Sequence, residues 1–176
     1  MVKRFFDFVF SLLGILLFSP LIFIISILIF LQDFHSPFYF GKRAGKNRRI
    51  FYLIKFRSMV IKAEELGGDS TGEDDERITA IGNFIRRLKI DEIPQLLNVL
   101  KGEMSIVGPR PQTIEGVNLY TEKEKKLLSV KPGITDLSSI VFSDEGSILS
   151  GAEDPDLRYN QLIRPWKSRL SLFYIV

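Results

Sequence analysis

Two adjacent carboxylates, Asp91 and Glu92, lie in the segment RRLKIDEIPQLLNVL, shortly before Pro94. Because a helix tolerates proline only in its first turn, Pro94 predicts a helix that begins at about residues 91–93. The helix dipole and the free N–H groups at that end should keep both carboxylates ionised and lower their pKa values. An aspartate placed there can cap the helix, bind a hard divalent cation such as Mg²⁺, or attack phosphorus, and these three uses remain open.

Three arginines lie close to this acid pair in the sequence. Arg86 and Arg87 precede it by about one turn, and Arg110 is held between Pro109 and Pro111. Each proline fixes its own φ and restrains its predecessor, so the turn is rigid and fixes where Arg110 points. A guanidinium offers forked donors that suit phosphate oxygens, although an isolated arginine usually covers surface with its stem. Acids and arginines together suggest phosphate chemistry.

An uncharged apolar segment occupies residues 8–32, which is longer than the roughly 20 residues that a transmembrane helix needs. Basic residues flank it on both sides, and the positive-inside rule places both flanks in the cytoplasm, which a single span cannot satisfy. Ser19-Pro20 lies in the middle, where proline removes a backbone hydrogen bond and bends a helix. Two alternatives remain: a re-entrant helix that breaks at Ser19-Pro20, and a proline-kinked span.

The remaining charge is unevenly distributed. Between residues 34 and 63 there are eight basic residues and no acid, whereas seven of the thirteen residues from 64 to 76 are acidic. The basic stretch should face lipid headgroups, nucleotide phosphate or nucleic acid, and the acidic stretch should be a solvated loop. The apolar segment argues against nucleic acid as the partner. The absence of cysteine excludes disulfides, thiolate metal sites and a cysteine nucleophile.

Periodicity predicts an α/β fold, a small, mostly helical domain with a short β-hairpin on an N-terminal membrane helix. Residues 1–33 should form that helix, and residues 34–176 a cytoplasmic catalytic domain with interfacial helices. Alternation predicts the hairpin, and helical spacing predicts helices that include one capped by Gly102. The predicted elements are strands at 37–43, 50–57 and about 105–107, and helices at 81–88, 93–100, 115–128 and from Asp154-Pro155 to about 163.

Four segments, in order between about residues 3 and 135, carry a family resemblance: KRFFDFVFSLLGILLFSPL, YLIKFRSM, IRRLKIDEIPQLLNVLKGEMSIVGPRP and KPGIT. They resemble the monotopic phosphoglycosyl transferases, which are bacterial sugar transferases. The resemblance implies transfer of a sugar-1-phosphate from a UDP-sugar to polyprenol (undecaprenyl) phosphate through a covalent aspartyl-phosphosugar intermediate. It places the enzyme among membrane lipids at the cytoplasmic face of the bacterial inner membrane, where it would start surface glycan assembly.

The resemblance also implies roles for individual residues. Asp91 resembles the nucleophile, and Asp91 with Glu92 is expected to bind Mg²⁺. Ser19-Pro20 becomes the break of a re-entrant helix. The charge of the donor pyrophosphate would be neutralised by basic side chains as well as by the metal. The basic residues expected to bind phosphate are Arg86, Arg110, Lys55 and Arg57.

The chain departs from the family pattern after Thr135. Many relatives continue with a Gly-Leu-Ala-Gln-Val run that ends in an arginine near the donor, whereas residues 136–148 here are DLSSIVFSDEGSI. Recognition of the donor base and sugar is therefore open. Trp166, Lys167 and Arg169 suggest an interfacial belt, and an ordinary core tryptophan at position 166 stays open as the alternative. The chain ends where relatives usually continue into a further helix, so we expect a shortened or compact member, and homodimer formation is left open.

One other class of protein remains, a non-catalytic membrane adaptor that binds lipid through the basic residues between 42 and 62. It accounts for the charge pattern and for the apolar segment. It gives no reason for the arrangement of Asp91, Glu92 and Arg110. The enzyme interpretation accounts for all three features.

Overall fold

The computed structural model describes residues 2–68, 70–72 and 74–175 of the chain. Its longest element is helix α1, Val2–Asp33, whose 32 residues span about 48 Å at about 1.5 Å per residue. Within the described ranges, α1 alone is long and apolar enough to cross a membrane. Helix α1 continues through Ser19-Pro20, and its re-entrant course in a membrane stays a prediction. Ser19 Oγ donates to the Leu16 carbonyl at 2.8 Å, the acceptor that Pro20 leaves without its helical N–H.

The rest of the described chain is mostly helical, with an antiparallel hairpin and a small parallel pair of strands, which confirms the predicted fold class. The strands are β1 Phe38–Ala44, β2 Ile50–Phe56, β3 Ser105–Val107 and β4 Gly133–Thr135. The other α-helices are α2 Ala63–Leu66, α3 Ala80–Arg87, α4 Gln95–Lys101, α5 Ile114–Asn118, α6 Leu137–Val141, α7 Glu145–Leu149, α8 Pro155–Arg158 and α9 Arg164–Phe173. Short 3-10 turns occur at Lys46–Arg48, Ile90–Glu92 and Glu124–Ser129, and a π-helical turn at Tyr159–Ile163 leads into α9.

The hairpin packs between two apolar clusters. On one side Phe56 contacts Ile25 and Ile29 of α1 and Ile85 of α3. A second cluster joins Phe51 and Leu53 of β2 to Val99 and Met104. Burial of each such side chain contributes about 1.5–3 kcal/mol. The second half of α1 is therefore part of the core of the domain.

The N-terminal end of α1 is fastened to the end of α4 and to β3. Arg4 donates to the Leu100 carbonyl at 2.8 Å, which satisfies one of the carbonyls left free at the end of α4. The buried Asp7 carboxylate accepts hydrogen bonds from Ser105 Oγ at 2.8 Å and from the Ile106 N–H at 3.0 Å. An unpaired charge would be costly at this depth, so these contacts hold the helix in register.

The C-terminal end of α1 is fastened to the same domain by a second set of contacts. The Arg57 guanidinium donates to both Asp33 carboxylate oxygens, at 2.5 and 2.6 Å, and to the Ser36 carbonyl at 2.9 Å. Between the two ends, Gly14 allows close approach to α4, because a Cβ there would lie 3.0 Å from Leu96 Cδ1. The domain thus lies along most of the length of α1.

Two helix predictions differ from the structure. The predicted helix 115–128 is broken, because α5 ends at Asn118 and a 3-10 turn begins at Glu124. The Glu124 carboxylate accepts from the Thr121 N–H and hydroxyl, both at 2.8 Å, and from Ser168 of α9. This tertiary contact favours a turn over a continuous helix. The C-terminal helix, predicted to end near 163, continues through α9 to Phe173.

Candidate active site

Asp91 and Glu92 occupy the 3-10 turn between α3 and α4. Helix α4 itself begins at Gln95, with Pro94 at its N-cap, so it starts later than predicted. Lys89, at a left-handed φ of 57°, turns the chain between the end of α3 and the acid pair. Asp91 is buried, with 8% of its surface exposed. The acid pair therefore lies one turn ahead of the helix.

Asn98 fixes α4 against the hairpin, and sequence reasoning missed it. Its side-chain oxygen accepts from the Ile54 N–H at 2.9 Å, and its amide donates to the Tyr52 carbonyl and to Glu103, both at 2.7 Å. A polar residue in the middle of an otherwise apolar helix was the available signal. Because Asn98 binds β2 on either side of position 53, it also fixes where Lys55 lies relative to the acid pair.

Burial is the largest influence on Asp91 and raises the pKa of its carboxyl, and the charge of Glu92 raises it further. The positive charges of Lys55, Arg86 and Arg110 lower it without outweighing the first two. The predicted lowering of the Asp91 pKa is therefore wrong. The helix dipole cannot compensate, because it falls off within the first turn and α4 starts only at Gln95.

Glu92 behaves differently because Arg110 binds it. Burial raises the pKa of the Glu92 carboxyl, but the charge of Arg110 and its hydrogen bond lower it, and the net result is a lowered pKa, as predicted. The Arg110 guanidinium forms a fork, with Nη1 donating to Oε2 at 3.3 Å and Nη2 donating to Oε1. Burial lowers the pKa of Arg110, but the Glu92 charge and hydrogen bond outweigh it, so that the net pKa is raised.

Lys55 and Arg86 are the other basic residues around the acid pair, the Asp91–Glu92 dyad. Burial lowers the pKa of Lys55 to about 8, against the opposing pull of Asp91, and its Nζ lies 5.2 Å from the centroid of the Tyr39 ring. Burial also lowers the pKa of Arg86 on α3, again opposed by the charge of Asp91. Three of the four predicted phosphate-binding residues therefore act electrostatically on Asp91.

Arg57 is placed elsewhere. Its guanidinium is engaged by Asp33 and by the Ser36 carbonyl at the other end of α1, as described above. In this structure it links the membrane helix to β2 and takes no part in the group around Asp91. A role for Arg57 in phosphate binding stays a prediction.

The turn that carries Arg110 is held by close contact with β4. The Gly108 N–H donates to the Thr135 carbonyl at 3.0 Å, and the Gly133 N–H donates to the Pro109 carbonyl at 2.9 Å. A Cβ on Gly133 would lie 2.1 Å from the Gly108 nitrogen, so the two chains can approach this closely only with glycine there. The SIVGPRP and KPGIT segments therefore form one support for Arg110, flanked by Pro109 and Pro111.

The dyad fits a hard divalent cation such as Mg²⁺. Carboxylate oxygens are the donors that Mg²⁺ prefers, and it usually takes one or two carboxylates together with water and substrate phosphates. A bound cation would also offset the burial and the like charge that raise the pKa of Asp91. Among the described residues no group of three or more His, Cys, Asp or Glu side chains could hold a metal. Asp91 and Glu92 are the side chains that could hold the cation, and its binding stays a prediction.

The chain after Thr135, where the sequence departs from the family pattern, contributes side chains near Arg110. Lys167 forms an ion pair with Glu145, and its Nζ lies 5.4 Å from the centroid of the Tyr159 ring. Burial, followed by the charge of Glu145, raises the pKa of Tyr159 to about 12, although a hydrogen bond with Gln112 lowers it. The charge of Glu145 also helps to raise the pKa of Arg110. Glu145 therefore lies within electrostatic reach of Arg110, which binds Glu92.

Of the three residues predicted to form an interfacial belt, Trp166 and Arg169 are exposed and Lys167 is not, and the belt itself stays a prediction. Trp166 is 57% exposed, and Arg169 lies 5.1 Å from its ring centroid. The Lys167 side chain is only 11% exposed and turns inward to Glu145, so its place in the belt was wrong. Helical periodicity places residues 166 and 167 about 100° apart, which separates the two side chains.

Comparisons of the sequence with known proteins identify a family and several relatives. A family model described as bacterial sugar transferase matches residues 1–174. The chain is 42% identical to galactosyl transferase CpsE of Streptococcus agalactiae, over 78% of this chain and 33% of that protein. It is 38% identical to the exopolysaccharide production protein ExoY of Rhizobium meliloti, over 80% of this chain and 69% of that protein.

A third relative has a more detailed name. It is the UDP-N-acetylgalactosamine-undecaprenyl-phosphate N-acetylgalactosaminephosphotransferase of Aeromonas hydrophila, 37% identical over 80% of this chain and 34% of that protein. The chain thus spans about a third of the length of this relative and of CpsE, and about two thirds of ExoY.

Proposed function

Because the chain belongs to the bacterial sugar transferase family, we propose that it transfers a sugar-1-phosphate from a UDP-sugar to undecaprenyl phosphate. The product would start assembly of a surface glycan. One observation carries the proposal: the buried Asp91 lies beside Glu92 and within the electrostatic reach of Lys55, Arg86 and Arg110. These three cations exceed the two carboxylates by one charge, which suits an anionic pyrophosphate.

The proposed reaction has two steps. In the first, a carboxylate oxygen of Asp91 attacks the phosphorus bonded to the sugar oxygen, the bond from that phosphorus to the bridging oxygen breaks, and UMP leaves. In the second, a phosphate oxygen of undecaprenyl phosphate attacks the same phosphorus, and the bond to Asp91 breaks. The soluble donor and the lipid acceptor therefore bind at Asp91 one after the other.

The basic side chains neutralise charge in both steps. Lys55, Arg86 and Arg110 supply positive charge to the pyrophosphate and to the departing UMP. Mg²⁺ held by Asp91 and Glu92 would supply further neutralisation. Glu92 holds the Arg110 fork in the structure, so donor phosphate and Glu92 would share or exchange those donors.

The contacts of α1 support a re-entrant helix at the cytoplasmic face of the inner membrane. Arg4 and Asp7 at one end, and Asp33 at the other, are bound by the same domain. A helix that crossed a bilayer would have its two ends on opposite sides, whereas this domain has to lie on one side. Shallow insertion would keep the dyad at the depth of the lipid phosphates.

The test is incubation of the protein with a panel of UDP-sugars, Mg²⁺ and undecaprenyl phosphate, with UMP and sugar-lipid as the measured products. A non-catalytic adaptor would release no UMP from any donor. The covalent step is tested with donor labelled in the sugar, without acceptor. Label should attach to the peptide that contains Asp91 and leave when acceptor is added. UMP that appears only with acceptor, with no labelled protein, would establish direct transfer.

A further inference from the structure

A cavity of about 280 Å³ lies between α1, the start of β1 and α4. Its size is close to the lower end, about 300 Å³, of pockets that bind small molecules. The residues that define it are Ser19, Ile22 and Ser26 of α1, Phe38 of β1, and Pro94 and Leu97 at α4. Nothing in the proposed chemistry of the dyad uses this space.

The cavity is apolar despite its two serines. Ser19 Oγ donates to the Leu16 carbonyl at 2.8 Å, and Ser26 Oγ donates to the Ile22 carbonyl at 2.7 Å. Both hydroxyl protons are therefore used within α1. The remaining lining is aliphatic and aromatic, so an occupant would be held by apolar packing and not by hydrogen bonding.

The position of the cavity connects it to the dyad. Pro94 lines the cavity and is also the N-cap of α4, three residues after Asp91. The α1 residues that line it lie in the uncharged segment 8–32. The cavity therefore adjoins the segment between the acid pair and α4, and it extends along the apolar part of α1.

We propose that this cavity binds the isoprene units nearest the phosphate of the acceptor lipid, and this inference rests on the proposed function. The second step needs the acceptor phosphate at Asp91 while its chain stays out of water. Pro94 lies three residues after Asp91, so the acceptor phosphate would lie at the dyad while the first units of the chain lie against Leu97 and Phe38. The rest of the chain extends beyond the cavity.

The first test fills the cavity. Leu97→Trp should raise KM for undecaprenyl phosphate about tenfold or more, because apolar contacts worth one methylene or more are lost. KM for the UDP-sugar and the amount of label trapped without acceptor should change less than about twofold. Leu17→Trp is the matched control, since Leu17 is exposed on α1 and lies outside the cavity lining. If Leu97→Trp fails to fold, Ser26→Leu makes the same test with a smaller change.

The second test needs no turnover. A polyprenyl phosphate with a diazirine in the isoprene unit nearest the phosphate should crosslink wild-type protein within residues 15–26 and 94–97 or at Phe38. Undecaprenyl phosphate should compete with it, and phosphatidylglycerol should not. Equal competition by phosphatidylglycerol, crosslinks elsewhere, or an unchanged acceptor KM in Leu97→Trp would each overturn the inference. Mapped and specifically competed crosslinks without any sugar-lipid product would instead overturn the proposed function alone.

Discussion

At the scale of single residues, Asp91 shows a conflict between stability and function. A carboxyl whose pKa is raised on folding contributes stability that is fully present below its ordinary pKa of 3.8 and is lost as pH rises through the higher folded value, so at pH 7 the ionised group destabilises the fold. Asp91→Asn should therefore lose essentially all turnover while Tm at pH 7 rises, by about 2–4 °C for each kcal/mol relieved. Thermal unfolding and UMP release measure the two effects. A cap would behave otherwise, since asparagine caps about as well as aspartate and turnover would persist.

Glu92→Gln is the matched comparison, because the pKa of Glu92 is lowered by Arg110 against the opposing effect of burial. Its stabilising effect is present above the ordinary pKa of 4.5 and is lost as pH falls through the lower folded value. At pH 7 this variant should therefore lose both turnover and stability. Equal changes in Tm for the two variants would contradict the opposite environments of the two carboxyls.

The lowered pKa of Lys55 predicts that activity falls at alkaline pH. Its pKa is lowered by burial to about 8, so its positive charge is present below that pH and is lost as pH rises through it. If this charge neutralises donor phosphate, kcat/KM for the donor should fall above pH 8. Lys55→Arg should shift the fall in kcat/KM to higher pH, because a guanidinium stays charged throughout this range. The measurement is the pH profile of kcat/KM for both proteins. Superimposable profiles would show that the alkaline fall in kcat/KM is due to another group.

Arg110→Lys tests whether the fork matters or only the charge. A lysine ammonium cannot bind two oxygens in the parallel geometry that Arg110 shows with Glu92. We expect kcat/KM for the UDP-sugar to fall about tenfold or more, which corresponds to loss of one charge-assisted hydrogen bond. Circular dichroism should remain that of the wild type. Near-normal turnover would reduce Arg110 to a source of charge.

At the scale of elements, local pattern was sufficient where neighbours in sequence are also neighbours in space. Alternation in Ile50–Phe56 predicted the hairpin, and Gly102, with a φ of 84°, ends α4 as expected. Tertiary contacts decided the rest. Glu124 breaks a predicted helix because it binds Ser168, far away in sequence. The raised pKa of Asp91 likewise depends on burial by distant elements, which a sequence does not show.

The contact between α7 and α9 gives a prediction about donor binding. Lys167 neutralises Glu145, whose charge reaches Arg110. Lys167→Met should leave that carboxylate unpaired near the bound pyrophosphate and raise KM for the UDP-sugar severalfold, more at low salt than at high salt. Adding Glu145→Gln should restore the lower KM. If the double variant remains as impaired as Lys167→Met, the pair supports packing and does not act on the donor.

At the scale of the whole molecule, the fastening of α1 at both ends gives a prediction about its topology in the membrane. Asp7 and Asp33 are bound by one domain at opposite ends of about 48 Å of helix, so both ends should face the cytoplasm. The chain lacks cysteine, so single cysteines can be placed at Val2 and Lys46. An impermeant thiol reagent should label neither in intact cells and both after permeabilisation. Labelling of position 2 alone in intact cells would show that α1 spans the membrane.

The same assay distinguishes two features that can keep α1 from spanning the membrane, the Ser19-Pro20 sequence and the contacts at the ends of the helix. Replacing Ser19 and Pro20 with leucine supplies the backbone N–H that Pro20 lacks within α1, and it should expose position 2 to the external reagent in part of the population. Asp7→Leu, with Ser19 and Pro20 intact, removes the acceptor that Ser105 and Ile106 use. If the end contacts dominate, Asp7→Leu should expose position 2 more than the Ser19-Pro20 variant. The reverse order would assign the topology to the break, and the contacts of Asp7 would then serve only to hold α1 against β3.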